Sequence, residues 1–549
     1  SVQVLPMPDK VLTFGNCTFV ADTKLIGNST ILVTNSGRVS VQDITIKQHV
    51  DIVIQQNYNP TFIELFNSAK CTVDNIYFSS PLRADNSAKF NYGFEMEFCY
   101  DIELSRLQGY GEGWVINGNN ESRRVQFKDC VVNCVDFHKP FIEYLKVINC
   151  QIGSWGIITT GIGDMLVDNC NFLNNRSEYF SQRSYFSVND SCGGFWNGNV
   201  TVRNSSFTST NGELMLLFLN KALDVGGIFE ESNLEPYCWE KITIDNCNFG
   251  THNKTYVMPS VEDDRGIRYP YSVTMRDLTG NIVVNRDYLK SLPRFDIRDD
   301  ETDLVKPHNL FITLDNVEHV ADEELFLMDR RDQNFKIKLH INNIKAINAQ
   351  DTSGVTMSLI FGGDVSITNS LVEGFNFFNN NPYYKPLNIM ISTSTINYTG
   401  RIYDEMFKDP APRSSITASN CVFIGELNTV NGAARIKTVG CKMKLSSSPS
   451  FYDSITVTDT TALNIANGSS LFKATNTIVN WKQDVEVAIS VATGAAYRVK
   501  VNLQDENINK TIPINNGYIN ILRSGGNVQV SNNVGAATNV YFYYVSKVL

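Results

Sequence analysis

Carboxylates supply most of the chemistry this sequence can offer. Glycoside hydrolysis needs two of them flanking the scissile bond, about 5–9.5 Å apart, one as acid and one as base or nucleophile. The segment GELMLLFLN opens with Glu213, and VEDDRGIRYPY carries Glu262, Asp263, Asp264 and Arg265. Near them in the chain stand Arg183, Trp196, Tyr237, Trp239 and Tyr269. Rings stack on the apolar faces of pyranoses and cations hold their polar groups, so these residues suit a sugar groove. Glu213 with Asp263 or Asp264 is the first candidate for a catalytic pair. Glu95 and Glu97 in GFEMEF are the second. With Phe94, Met96 and Phe98 expected to point inward, both glutamates point outward, about 7 Å apart along the strand.

Other chemistries find less material. A lyase needs a base and a cation that neutralises a uronate carboxylate. Arg183, Arg265 and Arg268 would supply the cation, and Tyr179 or Tyr185 would serve as base or acid. The acidic loops favour hydrolysis over this alternative. Asp296, Asp299, Asp300, Glu301 and Asp303 form a dense run that reads as a solvated loop, with weak calcium binding as the sharper alternative. Cys130 and Cys134 are the only near pair for zinc, and His138 beside them reads as an ordinary side chain. The six histidines are scattered, and none sits in an esterase-like context with a serine. The residues call for no cofactor and no metal.

What positions the carboxylates is a repeat. The pattern apolar, any, apolar, any, Asn or Asp, then a small or apolar residue occurs as VSVQDI, CTVDNI, VQFKDC, LKVINC, MLVDNC and ITIDNC, and in later and weaker copies. Seventeen copies end at residues between Cys17 and Thr460. Their spacing has a floor near 20, as from Cys130 to Cys150 to Cys170, and rises to 35, 42, 31 and 39 between Cys170 and Val317. Fixed strands joined by elastic loops give such spacing. The expected fold is therefore all-β: a right-handed parallel β-helix of about 17 coils. Alternate apolar side chains fill a shared core, and the Asn or Asp occupies a tight bend that tolerates left-handed backbone.

Cys17, Cys130, Cys150, Cys170, Cys247, Cys421 and Cys441 take the same slot after that bend. Stacked thiols point the same way rather than at one another, so a reduced stack is expected instead of disulfides. Asn16 and Asn204 begin two of the Asn-x-Ser/Thr sequons; placed at an inward-stacked bend, they leave no room for a glycan. After about residue 482 the pattern becomes strict alternation, as in DVEVAISV and YRVKVNLQ, separated by Gly, Asn and Ala. This predicts a β-helix over 1–482, with groove-forming loops mainly in 171–312, and a small antiparallel module over 483–549 that caps, trimerises or binds carbohydrate.

The 549 residues carry a formal charge of −10, 42% apolar and 19% charged side chains. That balance excludes general disorder and argues against a nucleic-acid partner. No apolar run reaches the roughly 18 residues of a membrane-spanning helix. The opening SVQVLPMPDKV lacks a signal-peptide layout, and a start at Ser1 suggests a trimmed chain.

Coil pattern and appended module together resemble the receptor-binding tailspikes of bacteriophages, in the pectate-lyase-like β-helix superfamily. The resemblance covers nearly the whole chain at the level of architecture and includes no catalytic signature. It implies a homotrimer in the virion tail that binds and cleaves a bacterial surface polysaccharide: O-antigen, capsule or exopolysaccharide. A non-catalytic adhesin on the same scaffold is the other implied outcome. It also implies a head-attachment module at the N-terminus, which is missing here.

Overall fold

The computed structural model describes residues 10–21, 31–48, 61–79, 92–110, 116–137, 141–174, 184–188, 196–209, 214–219, 239–250, 255–257, 260–261, 271–280, 282–283, 308–321, 326–329, 335–348, 357–360, 363–379, 387–398, 401–404, 415–430, 434–439, 441–445, 452–458, 460–465, 485–490, 496–501, 507–514, 517–524, 527–533 and 538–544. They contain strands and no helix. The chain divides into two compact units, Ser1–Leu304 and Val305–Leu549.

In the first unit each coil pairs in parallel with the next. The residue three before the end of each sequence motif forms one inward column: Phe14, Val41, Val73, Leu104, Phe127, Val147, Val167, Val202, Ile244 and Met275 lie in register from coil to coil. From Val41 to Met275 these side chains are at most 1% exposed. Each contributes about 1.5–3 kcal/mol of burial. Farther round the coil, Phe172, Phe207 and Phe249 stack face to face with centroids 4.8 and 4.9 Å apart. The second unit repeats the scheme with Leu314, Ile341, Ile367, Ile391, Ala418, Thr438 and Val457 in register. Parallel strands joined by crossovers are right-handed in nearly all cases. This is the parallel β-helix that the repeat implies.

The bends behave as their residue types require. Asn16, Asp43, Asn75, Arg106, Asp129, Asn149, Asn169, Asn204, Asn246, Asp277, Asn316, Asn343, Asn369, Thr393 and Asn420 all have φ between 50 and 60°. Their amides bond along the stack: Asn149 donates to Asp129 Oδ1 at 3.0 Å, Asn169 to Asn149 at 2.9 Å, and Asn246 to Asn204 at 2.8 Å. This ladder runs along the outside edge of the coil, and Asn16 and Asn204 are exposed. The expectation of an inward-stacked bend is corrected accordingly, because a left-handed residue turns its side chain out of the corner.

The slot after the bend points in. Cys130, Cys150, Cys170, Cys247, Cys421 and Cys441 are buried free thiols, and Cys17 is half-buried. The backbone N–H of Cys130 donates to the sulfur of Cys150 at 3.4 Å, and that of Cys150 to the sulfur of Cys170 at 3.5 Å. Ser205 continues the column, accepting from the Cys170 N–H at 3.1 Å.

A second corner escaped the sequence motif. In each of four coils two further left-handed residues lie three apart: Asn35 and Arg38, Asn67 and Lys70, Phe98 and Asp101, Glu121 and Arg124. They separate the strands Thr61–Phe66, Tyr92–Glu97 and Ile116–Asn120 from the next face of the coil.

In the second unit the pairing order changes after the last coils. Thr460–Ile465 pairs antiparallel with Thr538–Tyr544, which pairs with Val485–Ser490, which pairs with Ala496–Val501. Asn507–Ile514, Gly517–Ser524 and Asn527–Asn533 form a small separate antiparallel sheet.

Candidate functional site: an outward carboxylate face

Three strands of neighbouring coils build the face. Glu64 lies in register with Glu95, and Phe66 with Glu97. On the next coil Gly118 and Asn120 take the corresponding positions. Ile63, Leu65, Phe94 and Met96 are at most 1% exposed, so alternation turns Glu64, Glu95 and Glu97 outward. All three are half-buried. Neighbouring coils are about 4.8 Å apart and alternate residues of one strand about 7 Å. Glu64 and Glu95 therefore stand about one coil apart, and Glu95 and Glu97 about one pleat apart. The Thr61 hydroxyl donates to Glu95 Oε2 at 2.9 Å, which fixes the orientation of that carboxylate.

Farther along the Glu64–Glu95–Gly118 column comes Asp136, in register with Gly118 and, on its other side, with Ile158. Asp136 is fully buried. Its backbone carbonyl accepts from the amide of Asn119, also fully buried, at 2.9 Å. The open part of the face thus covers the two coils of Glu64 and of Glu95 and Glu97, while Asp136, two coils farther along the column, is buried.

Aromatic residues border the open part. Phe66 is half-buried beside Glu97, and Phe98 meets it edge-to-face with ring centroids 5.9 Å apart. Phe98 was expected to point inward, but its side chain is 46% exposed. The strand ends at Glu97, and a φ of 54° at Phe98 breaks the alternation, so Cys99 takes the buried slot instead.

Glu213, Asp263, Asp264, Arg183, Arg265, Tyr237 and Tyr269 lie outside the described residues, as do Arg268, Tyr179, His138 and the run from Asp296 to Asp303. Trp196 and Trp239 are described and are at most 1% exposed, so neither offers a ring face to a sugar. Both are buried, and the backbone N–H of Trp239 donates to the backbone carbonyl of Trp196 at 3.1 Å. Tyr185 is buried as well, and desolvation pushes its phenol above the ordinary tyrosine range. Glu64 was missed by the sequence reading. The signal was TFIELF, the same inward-outward alternation as GFEMEF one coil earlier.

No protein-family model matches the chain. Over an alignment of 290 residues that covers 49% of this chain, the sequence is 22% identical to a protein of Klebsiella phage P510 described as a capsule KL64-specific depolymerase. That stretch spans 28% of the relative's length. Among solved structures, the tailspike gp61 of Pseudomonas phage phi297 covers 92% of this chain and 66% of its own at 8% identity, with a TM-score of 0.23. The tailspike gp49 of Pseudomonas phage LKA1 covers 94% and 67% at 9% identity, with a TM-score of 0.19. The sequence is thus related to that of a phage depolymerase, while the fold assignment rests on this chain's own strand pairing.

Proposed function

We propose that this chain is the polysaccharide-binding and cleaving part of a phage tailspike, acting as an endo-glycosidase on a bacterial capsule. The observation that carries the reading is the outward face with Glu64, Glu95 and Glu97. Spacings of about 4.8 and 7 Å between backbone positions are compatible with the carboxyl separations of both retaining and inverting glycosidases, about 5–5.5 and 6.5–9.5 Å. A sugar chain laid across the coils brings a glycosidic bond between two of these groups. Glu95, oriented by Thr61, takes the part of base or nucleophile, and Glu97 or Glu64 protonates the leaving oxygen. The relative described as a capsule depolymerase supports a capsule over other surface polysaccharides. A homotrimer in the virion tail completes the proposal.

The experiment is digestion of purified Klebsiella capsular polysaccharides, including the KL64 type, with product analysis. Hydrolysis releases oligosaccharides with new reducing ends and no unsaturated uronate. An absorbing unsaturated product would instead establish a lyase, and retention of the polysaccharide without product would establish an adhesin.

A further inference from the structure

We propose that Phe98, backed by Phe66, is a stacking subsite for one pyranose ring of the polysaccharide; this rests on the carboxylate-face reading above. The corner column to which Phe98 belongs otherwise holds Asn35, Asn67 and Glu121, with φ of 50, 48 and 48°. Asn67 donates to Asn35 Oδ1 at 2.6 Å, so asparagine satisfies this corner and binds along the stack. A bulky side chain is a poor occupant of left-handed backbone. Trp239 has the same backbone, φ 59°, but its ring is 1% exposed, so burial offsets the strain. Phe98 combines φ 54° with a ring 46% exposed. Exposure at Phe98 offsets less of the strain than burial does at Trp239, and backbone strain of this kind concentrates at functional sites.

The position supplies the function. Phe98 follows Glu97 directly, and its edge-to-face contact with Phe66, which lies in register with Glu97, sets the ring on the carboxylate side of the corner. An apolar ring of this size beside hydrogen-bonding carboxylates matches the two surfaces of a pyranose, with C–H groups on one face and hydroxyls around the rim. The partner is a neutral or acidic hexose chain bound before and during cleavage.

The test compares the parent chain with Phe98→Asn, which restores the residue of the neighbouring corners, and Phe98→Trp, which keeps a ring. The probes are the purified Klebsiella capsular polysaccharides named above. Phe98→Asn is expected to melt at or above the parental temperature and to raise KM about three- to tenfold with kcat little changed. Phe98→Trp is expected to keep the parental KM and to shift its tryptophan emission when polysaccharide is added. Cleavage by Phe98→Asn with parental KM would overturn the subsite while leaving the glycosidase reading standing. Should Phe98→Asn fail to fold, an emission of Phe98→Trp that polysaccharide leaves unchanged overturns it. A parent chain that neither retains nor cleaves any of the polysaccharides refutes the glycosidase reading, and the subsite with it.

Discussion

Arg106 occupies a bend that asparagine or aspartate fills in most coils, and its guanidinium forms an ion pair with Asp74 one coil away. That hydrogen bond holds the Asp74 carboxyl below the usual aspartate range, and the Arg203 hydrogen bond does the same for Asp168, 2.7 Å away. A folded-state value below the unfolded one means stability that is present above about pH 4 and is lost as pH falls through the folded value. Melting temperature should therefore drop on acidification below about pH 4, and the double variant Asp74→Asn/Asp168→Asn should show a shallower drop. Near neutral pH the double variant should melt within a few degrees of the parent, because exposed pairs contribute little. The cysteines give a second residue-scale test. Burial pushes Cys99 up to about 12 and Cys247 up to about 11, and the hydrogen bonds of Cys150 with Cys130 and Cys170 raise its thiol further. At pH 8 the native chain should leave these thiols unlabelled by iodoacetamide, and urea should expose them. Single residues were the least legible part of the sequence. Trp196 and Trp239 looked like groove rings because aromatic residues serve burial and stacking equally well, and spacing does not tell the two apart. Phe98 was misplaced because alternation holds only inside a strand, and a bend begins there.

The coil was legible because the two halves of the motif answer to different physics. The apolar residue three before the end must fill a column such as Val147 on Val167, and the bend residue must tolerate φ near 55°. Insertions between coils leave both untouched, so the pattern survives intervals from 19 to 42 residues. The second corner was hidden because Asn35, Asn67, Phe98 and Glu121 share a backbone conformation while the side chain changes from amide to ring to carboxylate. Asn149 tests the ladder at this scale, since it bonds Asp129 on one side and Asn169 on the other. Asn149→Ala should cost about 2 kcal/mol, combining left-handed strain with two lost exposed hydrogen bonds. Asn149→Gly, which loses only the hydrogen bonds and some chain entropy, should cost about 1 kcal/mol. Urea unfolding midpoints separate the two; equal losses would mean that φ at this bend carries no strain.

At the scale of the whole molecule, a coil stack has open ends and apolar side chains left on its flanks, which favour association with further copies. Sedimentation is expected to give a three-chain species, and a stable monomer at micromolar concentration would contradict the trimer. The β-helix and the antiparallel strands near the C-terminus were both readable from periodicity, and alternation also turned Glu95 and Glu97 outward, whereas Glu64 was passed over. The largest loops drew attention to Glu213 and Asp263, which lie outside the described residues, while Glu64, Glu95 and Glu97 share one surface on two neighbouring coils near the N-terminus. Loop length marks where a groove has room, and only strand register shows which side chains meet. The chemistry proposed for the face of Glu95 and Glu97 is tested by the turnover number for oligosaccharide release by Glu95→Gln and Glu97→Gln, measured beside Glu213→Gln and Asp263→Asn on a capsular polysaccharide that the parent degrades. The first two variants should lose about 10²–10⁴ in kcat while still retaining the polysaccharide, and the last two should stay near the parental rate. Near-parental turnover in Glu95→Gln and Glu97→Gln, with Glu213→Gln or Asp263→Asn inactive, would place the chemistry off the Glu95–Glu97 face.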